Sequence, residues 1–197
     1  MRERQGLREQ KRRAAMRRVQ DAALGLFDEH GFEAVTIEQI AAAAEVSPSS
    51  VYRYFATKEG IVLYDPNEIA LEAPIASADE GVPFAEVLHR TVMGFLSEHG
   101  DEVVDRRRAK YLMEVPSVQD AVARRFFTET PTLAAFVAAR TGRSPDDLEV
   151  RVACGAFAGG MLAAMRHWHA EDYAEPLGSL LDRTLATMQH GLEVALR

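Results

Sequence analysis

The sequence predicts an all-α protein: a small N-terminal helix-turn-helix head followed by a larger helical bundle. Two observations predict this. Apolar residues recur three and four positions apart through nearly the whole chain, the spacing that places them on one helix face. Between these segments stand Ser, Thr, Pro and Gly at the places where helices start and stop, and no segment alternates as a half-buried strand does.

In the head, the first helix is expected over 12–30, with Met16, Val19, Ala23, Leu26 and Phe27 on one face and Gly31 placed to end it in a left-handed cap. Thr36, with Gln39 three residues later, reads as a capping box, and Val35 can staple to Ile40. That gives a short helix over about 36–44. Glu45 and Val46 turn the chain. Ser47 then caps a third helix with Pro48 at its first position, where a missing N–H costs nothing. Val51 and Phe55, four apart, point to the core. Thr57 caps a fourth helix that stops at Asp65-Pro66.

Residues 66–82 mix small, proline and acidic residues and read as a connector. Helical patterns resume over about 83–99, 101–115, 117–140, 145–170 and 176–196, punctuated by Gly100, Pro116, Gly142 and Pro176. Pro131 is expected to kink or split the third of these. Ser144-Pro145 repeats the cap-plus-proline device, with Asp146 and Asp147 in the first turn.

The net charge of −7 hides an asymmetry. Residues 1–60 carry 10 Lys/Arg and 9 Asp/Glu, and residues 1–18 alone carry eight basic side chains against Glu3 and Glu9. A polyanion responds to local charge, because screening removes contributions from beyond roughly 8–10 Å. No uninterrupted apolar run reaches the roughly 18 residues that span a bilayer, and the basic start is unlike a signal peptide. Cys154 is the single cysteine and sits among small apolar residues, which suits a buried side chain in a reducing cytoplasm.

The stretch Val46–Phe55, "VSPSSVYRYF", carries the chemistry. Two short helices joined by a tight turn form a helix-turn-helix, whose second helix enters the major groove of DNA. With Val51 and Phe55 as anchors, Ser49, Ser50, Tyr52, Arg53 and Tyr54 remain to donate hydrogen bonds to phosphates or bases. The competing reading makes the tyrosines half-buried braces of a surface helix.

The residues "TIEQIAAAAEVSPSSVYRYFATKEGIV", Thr36 to Val62, closely resemble the DNA-binding signature of tetracycline-repressor-like (TetR/AcrR) transcriptional regulators, and "AALGLFDEHGFEAV" resembles that family's first helix and turn. The resemblance implies a homodimer with a three-helix DNA-binding head and a helical ligand-binding domain whose last two helices build the dimer interface. It divides the chain into a basic arm over 1–11, a DNA-binding domain over 12–64, and a ligand-binding and dimerisation domain over 65–197. It implies a DNA surface of Thr36, Ser47, Ser49, Ser50, Tyr52, Arg53, Tyr54 and Lys58, with Thr36, Arg53 and Lys58 on phosphate. The arm would track phosphates or reach the minor groove, or only add nonspecific attraction. Two positions depart from the pattern. Glu45 stands where Gly is common, so the turn is either strained or helical for one residue more. Gly60 replaces a usual helix former and is expected to loosen the fourth helix.

In the larger part, Phe95, Leu112, Met113, Phe126, Phe127, Phe157, Met161, Met165 and Trp168 are candidates for an adaptable apolar pocket, with plain core as the alternative for each. The run "DRRRAKYLMEVP" would suit an amphiphile with an acidic head, such as a fatty acyl thioester of coenzyme A, and a solvated face paired with acids is the alternative. Gly155, Gly159 and Gly160 suggest close helix approach, within the bundle or across a dimer. The leucine stripe of the last helix suits a dimer contact or burial within one chain.

No nucleophile elbow, phosphate loop or zinc spacing occurs, the single Glu-x-x-His motif at Glu86–His89 falls short of a di-iron bundle, which needs two such motifs and two further carboxylates, and His167 and His169 point apart. No catalytic residue, metal or cofactor is assigned. The reading is therefore a cytoplasmic, ligand-responsive repressor, whose partners are a palindromic double-stranded DNA operator, a small apolar or amphipathic effector and a second copy, with no membrane. The alternative is a helical small-molecule-binding or interaction protein that no longer reads DNA.

Overall fold

In the computed structural model of the chain, the described residues are 2–64, 82, 84–99 and 101–190, and the side chains of 2–10, 84, 85, 95, 98, 99 and 190 are not among them. The connector expected over 66–82 and the last turns of the final helix, with Leu192 and Leu196, therefore fall almost wholly outside them.

The described residues are helical throughout, with no strand among them. The helices are α1 (Arg2–His30), α2 (Ile37–Ala43), α3 (Pro48–Phe55), α4 (Lys58–Leu63), α5 (Phe84–His99), α6 (Glu102–Glu114), α7 (Pro116–Thr141), α8 (Leu148–Ala170) and α9 (Leu177–His190). They group into two compact units, one from residues 1–66 and 110–121, the other from 67–109 and 122–197. The segment 110–121, assigned from sequence to the larger domain, thus groups with the head.

The head forms around α1. Met16, Val19, Ala23, Leu24 and Phe27 are buried on one face, while Leu26 is only half-buried. The helix does not begin at 12 but runs back to Arg2, so the expected arm is its first turns. Arg, Glu, Gln, Leu and Lys dominate that stretch and are good helix formers, and Glu9 precedes Arg13 by one turn. Gln20 is buried among the apolar side chains, and its amide donates to the Ile61 and Tyr64 carbonyls at 2.8 and 2.7 Å. Those carbonyls lie at the end of α4, where the Ile61 carbonyl also takes the Tyr64 N–H at 3.4 Å, so Gln20 adds a cap from another helix.

From the 110–121 segment, Tyr111 and Val118 complete the head core. The Tyr111 ring meets Phe27 edge-on at 5.5 Å and Phe32 at 6.3 Å, and its hydroxyl donates to Asp28 at 2.5 Å.

The second unit has two buried clusters. In one, Val87, Leu88 and Val92 of α5 meet Ala164 and Trp168 of α8 and the Leu177, Leu180, Leu181, Leu185 stripe of α9. In the other, Ala134 and Val137 of α7 pack on Val150 and Cys154 of α8. Burial pushes the Cys154 thiol up. The α9 leucines are thus buried within one chain. Gly160 has the same explanation, since a Cβ there would stand 2.6 Å from the Met188 sulfur, whereas Gly159 faces open space.

Two expectations for this unit change. Pro131 does not split α7, which continues from Pro116 to Thr141. The proline leaves the Phe127 carbonyl without its helical donor, on an exposed stretch where Thr128 and Thr130 hydroxyls bond back to the carbonyls of Arg124, Arg125 and Phe126. The Ser144 cap also moves: α8 starts at Leu148 with Asp147 as N-cap, because the Asp147 carboxylate turns back to the Ser144 N–H and to Arg143.

Both departures in the head have a structural account. Glu45 adopts φ 54°, in the left-handed region, so the turn is strained rather than helical for longer. Gly60 stands where the chain packs too closely for any side chain. A Cβ at that position would lie 2.1 Å from the Phe55 carbonyl oxygen, so only glycine lets the start of α4 close against the end of α3. In urea denaturation, Glu45→Gly should raise stability by about 0.5–1 kcal/mol, since glycine relieves the strain but adds unfolded-state entropy. Gly60→Ala should lower it by about 1–3 kcal/mol, as overpacking against backbone does. A neutral Gly60→Ala would show that the corner has slack.

Candidate nucleic-acid interface

The second helix of the helix-turn-helix is α3, and its seating is set by its neighbours. Thr36 caps α2 with a capping box: its hydroxyl accepts the Gln39 N–H at 3.2 Å while the Gln39 side chain accepts the Thr36 N–H at 2.8 Å. Ile37, Ile40 and Ala41 bury the inner face of α2. The chain turns at Glu45, and Ser47 caps α3 by accepting the Ser50 N–H at 3.2 Å. Val51 is fully buried and Phe55 nearly so, which fixes the rotation of α3 about its axis.

That rotation exposes Ser47, Ser49, Tyr52 and Arg53, with Ser50 and Tyr54 half-buried at the edges. Tyr52 is 50% exposed. The three serine hydroxyls lie together, Ser47 Oγ standing 3.0 Å from Ser49 Oγ and 2.9 Å from Ser50 Oγ. Arg53 leans over the Tyr54 ring, its guanidinium carbon 5.0 Å from the centroid. Thr36 is exposed at the start of α2. Among the basic side chains of α1, Lys11, Arg12, Arg13, Arg17 and Arg18 are exposed; those of Arg2, Arg4 and Arg8 are not described.

Lys58 is placed differently from the rest of the set. It is half-buried, its ammonium donates to the Phe32 carbonyl at 2.8 Å and the Glu33 carbonyl at 3.4 Å, and it stands 4.7 Å from the Phe32 ring centroid. It closes the turn between α1 and α2. Beside it, burial pushes the Glu59 carboxyl up, but its own backbone N–H, the Ser117 and Thr57 hydroxyls and the Lys58 charge outweigh that and hold it below the usual range. The Ser117 contact is loose, outside regular hydrogen-bond geometry.

Eight of the nine candidate pocket residues have described side chains, and they stand on α6, α7 and α8. Trp168 is core, with its indole N–H donating to the Glu175 carbonyl at 2.8 Å. Phe157, Met161 and Met165 lie partly buried against that core. Phe126 and Phe127 are exposed on α7, and Leu112 and Met113 are half-buried in the segment that groups with the head. The Phe95 side chain lies outside the described residues. The basic run on α6 is matched by acids: Arg106 with Glu102, Arg108 with Asp105, and Lys110 with Asp28. Arg106 also stands 5.9 Å from the Trp168 ring and 5.7 Å from the Tyr173 ring. Among the described residues, no group of three His, Cys, Asp or Glu side chains is placed to hold a metal ion.

Comparison with known proteins agrees with this arrangement. Residues 20–64 match the family described as "Bacterial regulatory proteins, tetR family", and residues 82–193 match the family described as "MftR C-terminal domain". The chain is 25% identical over 170 residues to the putative mycofactocin biosynthesis transcriptional regulator MftR of Mycobacterium tuberculosis, covering 83% of this chain and 86% of that protein. It is 32% identical over 153 residues to the HTH-type transcriptional regulator TcmR of Streptomyces glaucescens, covering 72% and 67%. Among solved structures, the SmeT–triclosan complex shares the fold at TM-score 0.56 and 18% identity, covering 88% of this chain and 90% of that one. The FadR regulator of Bacillus halodurans does so at 0.55 and 19%, covering 89% and 98%.

Two stability outcomes follow from the geometry. Lys58→Ala should lower stability without DNA by about 1–3 kcal/mol, the range for a charged hydrogen bond, while Tyr52→Ala should stay within about 0.5 kcal/mol. Equal effects in denaturant titrations would contradict the placement of Lys58. Because the Glu59 carboxyl is held low in the folded state, its contribution is complete above the unfolded value of about 4.3 and is lost as the pH falls below it. Glu59→Gln should flatten the acid limb of the thermal midpoint; an unchanged limb would show that other carboxyls set it.

Proposed function

Since the chain belongs to the tetR family of bacterial transcriptional regulators, we propose that it is a ligand-responsive repressor that binds a palindromic operator as a homodimer. The observation that carries the DNA reading is the face of α3, where Ser49, Tyr52 and Arg53 stand exposed opposite the buried Val51 and Phe55. Two such helices, one per subunit, would enter successive major grooves about 34 Å apart. Thr36 and the α3 serines would contact phosphate and fix the register. Lys58 has a backbone role first, with the Phe32 and Glu33 carbonyls taking two of its three N–H groups and the third left for a phosphate. The helical course of the basic N-terminal turns supports phosphate tracking by α1 over a strand threaded into the minor groove.

The second copy is assigned to α8 and α9. Leu148, Val152 and Leu162 are 70%, 58% and 41% exposed, and with Gly155 and Gly159 they run along one side of α8 at alternating spacings of four and three. By length and composition alone α8 could cross a membrane, but Val150, Cys154, Ala164 and Trp168 bury its other side in the protein. The cytoplasmic assignment rests on that burial and on the regulators it resembles.

The effector is assigned to the edge of the α5–α8–α9 core, where Phe157, Met161 and Met165 supply deformable apolar surface. A small apolar or amphipathic compound there would act by binding more tightly to the state that fits DNA poorly. An acyl thioester remains the narrower form of this proposal. Its acidic head would have to displace Glu102 or Asp105 from the α6 arginines, which favours a weakly charged effector.

The test uses the full chain and the DNA upstream of its own gene. Binding should fall steeply with salt, Tyr52→Ala should weaken it by about tenfold or more, and Val152→Asp should convert a dimer to a monomer in analytical ultracentrifugation. Salt-insensitive or absent DNA binding would leave the alternative of a small-molecule-binding protein.

A further inference from the structure

Building on the DNA-binding reading above, we propose that Arg53 reads a guanine in each operator half-site and that Tyr54 and Ser50 hold it in position to do so. At about 100° per residue, Arg53 lies about 180° from the mean direction of Val51 and Phe55, while Tyr52 and Tyr54 lie about 80° to either side of that mean. A helix seated in a groove turns the side opposite its anchor to the floor and its flanks to the walls. Arg53 therefore faces base edges, and the two tyrosines face the phosphate rims. Ser49, one turn before Arg53 on the same exposed side, is small enough to let the backbone come close.

The Arg53 side chain is already gathered in the free protein. Its Nη2 group donates to Ser50 Oγ and to Tyr54 Oη, each at 3.3 Å, and its guanidinium carbon stands 5.0 Å from the Tyr54 ring centroid. These are long bonds, and they leave Nε and Nη1 without a hydrogen-bond partner among the described residues. What remains is a planar fork of donors, held on the Tyr54 edge of the exposed side of α3. In the major groove guanine alone presents two adjacent acceptors, O6 and N7, that match such a fork, whereas adenine and thymine offer one acceptor each at that edge and cytosine a donor. Arginine on an aromatic face is also less free to swing to the backbone than a solvated one.

The experiment selects sites from a random duplex library with the full-length protein, then measures affinities at one fixed salt concentration. The wild type should select a fixed G·C pair in each half-site and bind about 10–100-fold more weakly when it is replaced. Arg53→Ala should bind the original and replaced sites alike, and Arg53→Gln should shift the preference toward adenine. Tyr54→Phe, which keeps the ring and removes the hydroxyl, should narrow the guanine preference several-fold with no change in thermal midpoint. If Arg53→Ala keeps the wild-type base preference and loses affinity evenly across sequences, with a salt slope smaller by about one, Arg53 lies on phosphate and the proposal fails. A wild type that shows no salt-dependent binding to any duplex overturns the DNA-binding reading itself, and the two failures are told apart by the wild type alone.

Discussion

The burial of Val51 and Phe55 governs the rest of the head. Each is worth roughly 1.5–3 kcal/mol when fully removed from water, and together they permit one rotation of α3 and no other. With that rotation set, the same eight residues that hold the helix down also decide which side chains face outward. A serine, a tyrosine and an arginine stand on the exposed side because the intervening positions are spent on anchoring. The surface chemistry is in this sense a by-product of the packing beneath it.

Around this anchor the head spends its polar groups on closing its own turns. Gln20 ends α4, Lys58 closes the turn after α1, Thr57 starts α4, and the Thr36–Gln39 box starts α2. Each satisfies a backbone group that a helix terminus or, for Lys58, the turn after α1 leaves open. The result is a small unit in which short helices of six to eight residues, too short to be stable alone, are held by tertiary contacts and caps.

Most of this was legible in the residues. The caps at Thr36, Ser47 and Thr57 and the anchors at Val51 and Phe55 are local signals, readable from spacing within one or two turns. What was not legible depends on distant chain. Nothing near Gln20 announces that its amide will meet carbonyls more than forty positions away, and a glutamine amid an apolar stripe reads as surface. Lys58 reads as a phosphate contact because the family resemblance puts one there, and only the fold shows the Phe32 carbonyl within its reach. Gly60 looks like a weak helix former until the Phe55 carbonyl is seen against it. In the larger unit, apolar spacing located the helices but not their exposed sides, so Trp168 in the core and Phe127 at the surface carried the same signal.

The grouping of residues 110–121 with the head alters what counts as its domain. Tyr111 and Val118 belong to the head's interior although they follow α4 in the chain by more than forty residues. A fragment cut at residue 66 would carry every side chain of the proposed DNA surface and still lack part of its own interior. The reading head is thus not autonomous: its boundary is drawn by folding, and no single excision point in the chain reproduces it.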